Sequence, residues 1–139
     1  MLKVFLPLLL TLASSAHATE LHHITVRTGT DGLSPVSLTV ANAGKEPVAC
    51  NADIAHWYSV ELATVVPGKA ASLELWFDPK SGTYAALNDK RENLPVERFW
   101  CGIEGRAYAT RSQIALDRGA APVTLQLICT DKSGRLICE

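Results

Sequence analysis

The chain has 139 residues, of which 47% are hydrophobic and 19% are charged. This composition excludes a disordered tail, a collagen and a multidomain enzyme. Thirteen lysines and arginines against fourteen aspartates and glutamates leave a formal net charge of -1. We therefore exclude generic nucleic-acid binding, which requires a broad positive field to hold the phosphate backbone.

The first predicted element is a secretory signal peptide at residues 1–18. Lys3 is its basic residue, residues 4–12 are its apolar region, and the Ala-His-Ala sequence at residues 16–18 is its cleavage site. The apolar run is shorter than the roughly 17 residues that a membrane-spanning helix needs. We expect a periplasmic or secreted protein whose mature domain, residues 19–139, is soluble and not inserted in a membrane.

Apolar residues at every second position predict β-strands in the first part of this domain. The clearest strand covers residues 36–41, and residues 42–47 after it contain the turn formers Asn, Gly and Pro. Shorter strands are predicted at residues 21–27 and 48–51.

The next two apolar runs, residues 56–66 and 72–77, flank the turn sequence Pro67-Gly68-Lys69 and predict a hairpin. Its register pairs Val66 with Ala71. On one face this hairpin would carry Trp57, Glu61 and Trp76. Exposed tryptophans are frequent anchors for partner proteins. The alternative is that both indoles belong to the core, and the sequence leaves this open.

The second half of the domain begins with a polar stretch, residues 87–95, which we interpret as an exposed loop that could take part in partner binding. Residues 96–103 and 106–116 predict another hairpin, although the latter run could also contain a helical turn. Two final strands are predicted at residues 123–130 and 136–138.

Trp100 and Arg98 lie at alternate positions of the predicted strand at residues 96–103. If Cys101 points into the core, then alternation directs Trp100 and Arg98 outward. We expect both to contribute to a partner-binding surface, with the arginine suited to an acidic partner.

The four cysteines predict two disulfides, because an even cysteine count is typical of small exported domains. Cys129 and Cys138 flank a predicted turn, and pairing Asp131 with Leu136 places these cysteines opposite each other, within bridging distance. Cys50 and Cys101 then form the second bridge. A zinc site is disfavoured, because the sequence contains no C-x-x-C pair.

About eight short strands at this spacing predict an all-β fold, a single antiparallel β-sandwich held by disulfides. The sequence SLTVANAGKEPV at residues 37–48, with the later Val-Pro-Gly-Lys at residues 66–69, resembles bacterial immunoglobulin-like domains. The resemblance covers residues 35–78 and implies an immunoglobulin-like sandwich. It implies no functional residue, and the antibody pattern of cysteine and tryptophan is absent.

Histidines raise two further hypotheses. His22 and His23 near the mature N-terminus could bind copper, nickel or another metal ion, although a surface pair on an edge strand is the favoured interpretation. His56, Ser59 and Glu61 contain the residue types of a hydrolase, but strand alternation directs His56 away from the other two.

The sequence therefore predicts a non-catalytic exported accessory protein that binds another periplasmic protein through exposed aromatic side chains and has no cofactor. A metal-handling protein is the alternative, and a small hydrolase is the least supported of the three functions.

Overall fold

The computed structural model describes residues 26–54, 58–119 and 124–139, which form nine β-strands and one helical turn. The strands are β1 (Ser34–Asn42), β2 (Val48–Ile54), β3 (Tyr58–Val65), β4 (Ala70–Asp78), β5 (Thr83–Leu87), β6 (Asn93–Ile103), β7 (Ser112–Ile114), β8 (Leu125–Lys132) and β9 (Arg135–Cys138). The helical turn, α1, spans Ala107–Thr110. The predicted signal peptide and residues 21–25 of the strand predicted at residues 21–27 lie outside the described residues, and Val26 and Arg27 belong to no strand.

All nine strands are joined by hydrogen bonds into one sheet, in the order β3-β2-β6-β5-β4-β1-β8-β9, with β7 pairing with β6. The pairs are antiparallel except for β1 and β8, which run parallel. The sequence predicted an antiparallel sandwich; the observed fold is all-β and compatible with a sandwich, but it is a single continuous sheet.

One hydrophobic core lies between the two halves of this bent sheet. Strand β3 packs against β4, and β9 packs against β6 and β7, although these strands are distant in the sheet order. As predicted, β1 directs Val36, Leu38 and Val40 into the core, with exposures of 5% or less. Burial of a leucine or valine side chain stabilises a fold by about 1.5–3 kcal/mol.

Both predicted disulfides are confirmed. Cys50 is bonded to Cys101 between β2 and β6, and Cys129 to Cys138 between β8 and β9; each pair is directly opposed, with Cα atoms 4.0 Å apart. The predicted register of the last hairpin, with Asp131 opposite Leu136, is also confirmed. Disulfides of this kind are typical of proteins in an oxidising compartment.

The predicted hairpin between β3 and β4 is wrong. Strand β3 pairs with β2, while β4 pairs with β1 and β5. The buried Asn42 amide donates to the carbonyl oxygen of Val65, and its main chain bonds to Gly68 and Lys69. These bonds fix the turn after β3 to the end of β1, so the chain crosses to the other half of the sheet.

The stretch at residues 87–95 contains less loop than predicted. Asn93, Leu94 and Pro95 belong to β6, and only residues 88–92 connect it to β5. The Asn88 side chain accepts hydrogen bonds from the backbone N–H groups of Lys90 and Glu92, which closes a tight turn.

The run at residues 106–116 contains both the helical turn α1 and strand β7, which pairs with β6 as predicted. α1 lies so close to β6 that a Cβ atom added at Gly102 would be only 1.9 Å from the Ala107 carbonyl oxygen. The Thr110 hydroxyl accepts a hydrogen bond from the Ile103 backbone N–H at 2.8 Å.

Within the described residues, no helix is long and apolar enough to cross a membrane.

Candidate functional site

A solvent-open pocket of about 450 Å³ lies beside the β5–β6 hairpin, and we refer to it as the β5 pocket. Its apolar lining comprises Val26, Leu33, Ile54, Tyr58, Ala85, Leu94 and Pro95. Val26 and Tyr58 are exposed. A cavity of this size with mostly apolar walls is typical of sites that receive a small molecule or a side chain.

The floor of the pocket follows from strand pairing. Ala85 on β5 is opposite Pro95 on β6, and Thr83 is opposite Asp78 on β4. Alternation places these residues on the side of the sheet opposite Tyr84 and the main core cluster, although Ala85 is itself buried, with 3% exposure. Ala85 has a small side chain, which leaves space above the sheet.

The segment before β1 forms one wall of the pocket. The Asn93 backbone N–H donates to the Arg27 carbonyl oxygen at 2.7 Å, and the Gly29 N–H donates to the Arg91 carbonyl oxygen at 2.8 Å. Thr28 forms an isolated β-bridge with Glu92. These bonds hold Val26 and Leu33 beside the hairpin, so the wall is part of the folded sheet.

Arg27 and Asp78 carry opposite charges at the pocket, with 3.7 Å between guanidinium and carboxylate. The backbone N–H of Lys80 donates to Asp78 Oδ1 at 2.9 Å, and this bond is the main reason why the pKa of Asp78 lies below its usual value of 3.8. Hydrogen bonding from Ser81 and the charge of Arg27 act in the same direction. The pocket therefore combines apolar walls with one ionic pair.

Trp76 lies next to this pocket. It pairs across β4 and β5 with Ala85, and its half-buried side chain lies on the face opposite the buried Leu75 and Phe77, as predicted. Its indole N–H donates to Glu74 Oε1 at 3.1 Å, and the Arg91 guanidinium lies 3.3 Å from the same oxygen. Trp76 is therefore held in place and keeps part of its surface open to solvent.

Glu61 does not lie opposite Trp76. It is an exposed residue of β3, where it pairs with Asn51 and accepts a hydrogen bond from the Thr64 hydroxyl at 2.9 Å. The expected common face of Trp57, Glu61 and Trp76 depended on the β3–β4 hairpin, which does not form. Trp57 itself lies outside the described residues.

Trp100 is buried, not exposed, with 5% of its surface accessible. Tyr108 of α1 packs edge-on against it, with ring centroids 5.9 Å apart, and the indole N–H donates to Asp53 Oδ1 at 2.8 Å. Arg98 forms an ion pair with the same carboxylate at 3.6 Å and remains half-exposed. Alternation correctly directed Trp100 away from the core, but α1 covers it.

The structure describes two of the three residues in the hydrolase hypothesis, Ser59 and Glu61. The Ser59 hydroxyl donates to Asp53 Oδ1 at 2.6 Å, and Glu61 accepts a hydrogen bond from the Thr64 hydroxyl. His56 lies outside the described residues, as do His22 and His23, the predicted metal ligands. Across residues 26–54, 58–119 and 124–139, three side chains of metal-ligating type come together: Cys101, Cys129 and Cys138, all in disulfides.

Sequence reasoning missed the β5 pocket. It also missed that the Asp53 carboxylate contacts Ser59, Trp100 and Arg98. The pocket combines residues from five separate parts of the chain, and no local pattern marks such a site. The small residue Ala85 beside Pro95 was the one available signal, but it becomes informative only when the β5–β6 register is known. Comparisons with protein-family models, curated proteins and solved structures found no match.

Proposed function

We propose that the protein is an exported, periplasmic, non-catalytic accessory domain that receives an apolar side chain of a partner polypeptide in the β5 pocket. The observation that supports this proposal best is the pocket itself, open to solvent and walled by Val26, Leu33, Tyr58 and Pro95. Apolar pockets that receive one anchoring side chain are typical centres of protein interfaces.

The energetics favour a side chain of moderate size. Transfer of a leucine, phenylalanine or methionine side chain from water to an apolar site is worth about 1.5–3 kcal/mol. Tyr58 and Trp76 could then contact the rest of the partner segment, since aromatic residues are enriched in interfaces. Arg27 and Asp78 would orient its polar groups.

The scaffold suits an exported binding domain. Two disulfides favour an oxidising compartment and stabilise the sheet that carries the pocket. We further propose that this scaffold is an immunoglobulin-like sandwich in which the central disulfide joins neighbouring strands. In antibody domains, by contrast, the conserved disulfide connects two sheets.

Photocrosslinking in cells that export the protein tests the proposal. A photoreactive phenylalanine analogue replaces Tyr58 in one variant and Tyr108 in the other; these tyrosines are 51% and 66% exposed, and only Tyr58 lines the pocket. We expect a defined protein adduct from position 58 and not from position 108. Identical adducts from both positions would contradict a site at the pocket.

A pair of valine variants then separates pocket binding from general surface hydrophobicity. Val26 and Val66 are equally exposed, at 52% and 51%, but only Val26 lines the pocket. Val26→Asp should reduce the position-58 adduct about tenfold, because a carboxylate at the rim disfavours an apolar ligand. Val66→Asp should leave it unchanged, and an equal loss in both variants would contradict the proposal.

A further inference from the structure

The two disulfides lie against each other in the core. The Sγ atoms of Cys101, Cys129 and Cys138 are all within 4.8 Å of one another, although Cys101 belongs to one bridge and the other two cysteines to the second. Cys50 is not part of this three-sulfur group. Cys101 is therefore the sulfur of the central bridge that is placed to meet the hairpin bridge.

The bend of the sheet produces this contact. Strand β9 is at the end of the sheet order, yet it packs against β6 and β7. The Cys138 backbone N–H donates to the Ser112 hydroxyl of β7 at 3.1 Å, which fixes β9 beside the strand that pairs with Cys101. The proximity of the sulfurs is thus built into the packing of three strands.

The four cysteine residues differ in exposure to solvent. Cys50, Cys101 and Cys129 have no exposed surface, whereas Cys138 is only partly buried. Thiol–disulfide exchange requires that a thiolate reach one sulfur of the bridge. An external thiolate would therefore attack Cys138.

We propose that the two disulfides are coupled by thiol–disulfide exchange. When an external thiol reacts at Cys138, a new disulfide forms between Cys129 and Cys101. In the first step an external thiolate forms a mixed disulfide with Cys138, and the Cys129–Cys138 bond breaks to release the Cys129 thiolate. In the second step this thiolate bonds to Cys101 Sγ, and the Cys50–Cys101 bond breaks.

The electron count is balanced throughout this sequence. Each step exchanges one thiolate for another and leaves the number of disulfides unchanged, and the Cys50 thiolate that remains takes a proton from water. The co-reactant is a thiol, either a small molecule or a protein cysteine. A thiol that reacts at the β8–β9 hairpin would therefore lead to cleavage of the Cys50–Cys101 bond between β2 and β6.

A matched pair of cysteine variants tests this coupling. Cys50→Ser leaves a free thiol at Cys101, inside the three-sulfur group, whereas Cys101→Ser leaves it at Cys50, outside the group. After incubation of the folded proteins at pH 8 without oxygen, free thiols are alkylated and disulfides are mapped by mass spectrometry. Both variants lack the same bridge, so a general loss of stability affects them alike.

We expect about tenfold more Cys101-containing cross-disulfide in Cys50→Ser than Cys50-containing cross-disulfide in Cys101→Ser, because exchange depends on the proximity of the reacting atoms. Retention of the Cys129–Cys138 bond in both variants, or equal exchange in both, would overturn the proposal.

The wild-type chain provides a second measurement that needs no substitution. With one equivalent of 2-mercaptoethanol, we expect a mixed disulfide at Cys138, a new Cys101–Cys129 bond and an alkylated Cys50. A mixed disulfide at Cys138 with an alkylated Cys129 and an intact Cys50–Cys101 bond would show two independent bridges and would overturn the proposal.

Discussion

Asn42 illustrates how a single buried polar residue directs the path of the chain. Its side-chain amide donates to the carbonyl oxygens of Glu46 and Val65, each at 2.8 Å, and its side-chain oxygen accepts from the Gly44 N–H at 2.9 Å. Because Asn42 is only 2% exposed, water cannot replace these hydrogen bonds. The turn between β3 and β4 therefore depends on this side chain.

We predict that Asn42→Ala lowers the free energy of unfolding by about 3 kcal/mol, because it leaves buried backbone groups without partners. Urea unfolding followed by circular dichroism measures the change. Asn42→Asp serves as the control, since it keeps the acceptor for Gly44 and loses both donated bonds. An unchanged urea midpoint for Asn42→Ala would contradict the role assigned to it.

The carboxylate of Asp78 makes the stability of the fold depend on pH. Its pKa is lowered in the folded protein from 3.8, chiefly by the Lys80 backbone N–H, so the ionised carboxylate stabilises the fold. This stabilisation is present above pH 3.8 and is lost as the pH falls through the lower folded value. Asp78→Asn should therefore unfold more easily than wild type at pH 6, with the difference shrinking below pH 3.8. A difference that persists unchanged at pH 2, measured by thermal unfolding, would contradict this explanation.

The tryptophans show what alternation along a strand can and cannot predict. Alternation correctly placed Trp76 and Trp100 on the side away from the core. It could not predict their exposure, because Trp100 is covered by Tyr108 from α1, a helical turn later in the chain. Exposure depends on such tertiary contacts, and no spacing within β6 reveals them.

At the scale of elements, the close contact between α1 and β6 depends on Gly102. Because an added Cβ atom would meet the Ala107 carbonyl oxygen at 1.9 Å, Gly102→Ala must displace α1 from the strand. We expect a loss of about 3 kcal/mol in the free energy of unfolding, the upper range for overpacking, measured by urea unfolding.

Gly119→Ala is the control. A Cβ atom added at Gly119 would have the Asp117 carboxylate, at 3.7 Å, as its nearest contact, so the stability of this variant should remain near that of wild type. Equal effects of the two substitutions would contradict this interpretation.

The two predicted hairpins around Pro67 and Gly134 had opposite outcomes for a physical reason. The β8–β9 hairpin is fixed by local chemistry, since a tight turn at Ser133 and Gly134 and the opposed Cys129 and Cys138 specify one register. The turn at Pro67-Gly68 is instead bonded to Asn42, 26 residues before Gly68 in the sequence. A turn sequence alone does not show which strand receives the chain after it.

For the whole molecule, the disulfides should contribute unequally to stability. The Cys50–Cys101 bridge joins residues 51 apart and the Cys129–Cys138 bridge residues 9 apart. The loop-entropy relation gives about 4 kcal/mol for the first and about 3 kcal/mol for the second. The double variant Cys50→Ala/Cys101→Ala should therefore have a lower urea midpoint than Cys129→Ala/Cys138→Ala. The reverse order would mean that loop entropy does not govern their contributions.

The all-β class was predictable from the alternation of apolar residues, and both disulfide pairings from the even cysteine count and the turn between Cys129 and Cys138. The arrangement of strands was not, because the sheet order depends on contacts between distant segments such as β1 with β8. The β5 pocket has the same origin: Val26, Ile54 and Ala85 come together only because β2, β5 and the segment before β1 all lie beside β6.

The most direct test of a binding role for the β5 pocket is chemical-shift mapping by NMR. Isotopically labelled protein comprising residues 19–139 is titrated with the segment of the partner identified by photocrosslinking at position 58. We predict that the backbone amide signals of Leu33, Ala85 and Leu94 shift in proportion to occupancy, while those of Ile128 and Thr130 on β8 do not. Shifts confined to β8, or none at Ala85 and Leu94 at saturation, would contradict binding in the pocket.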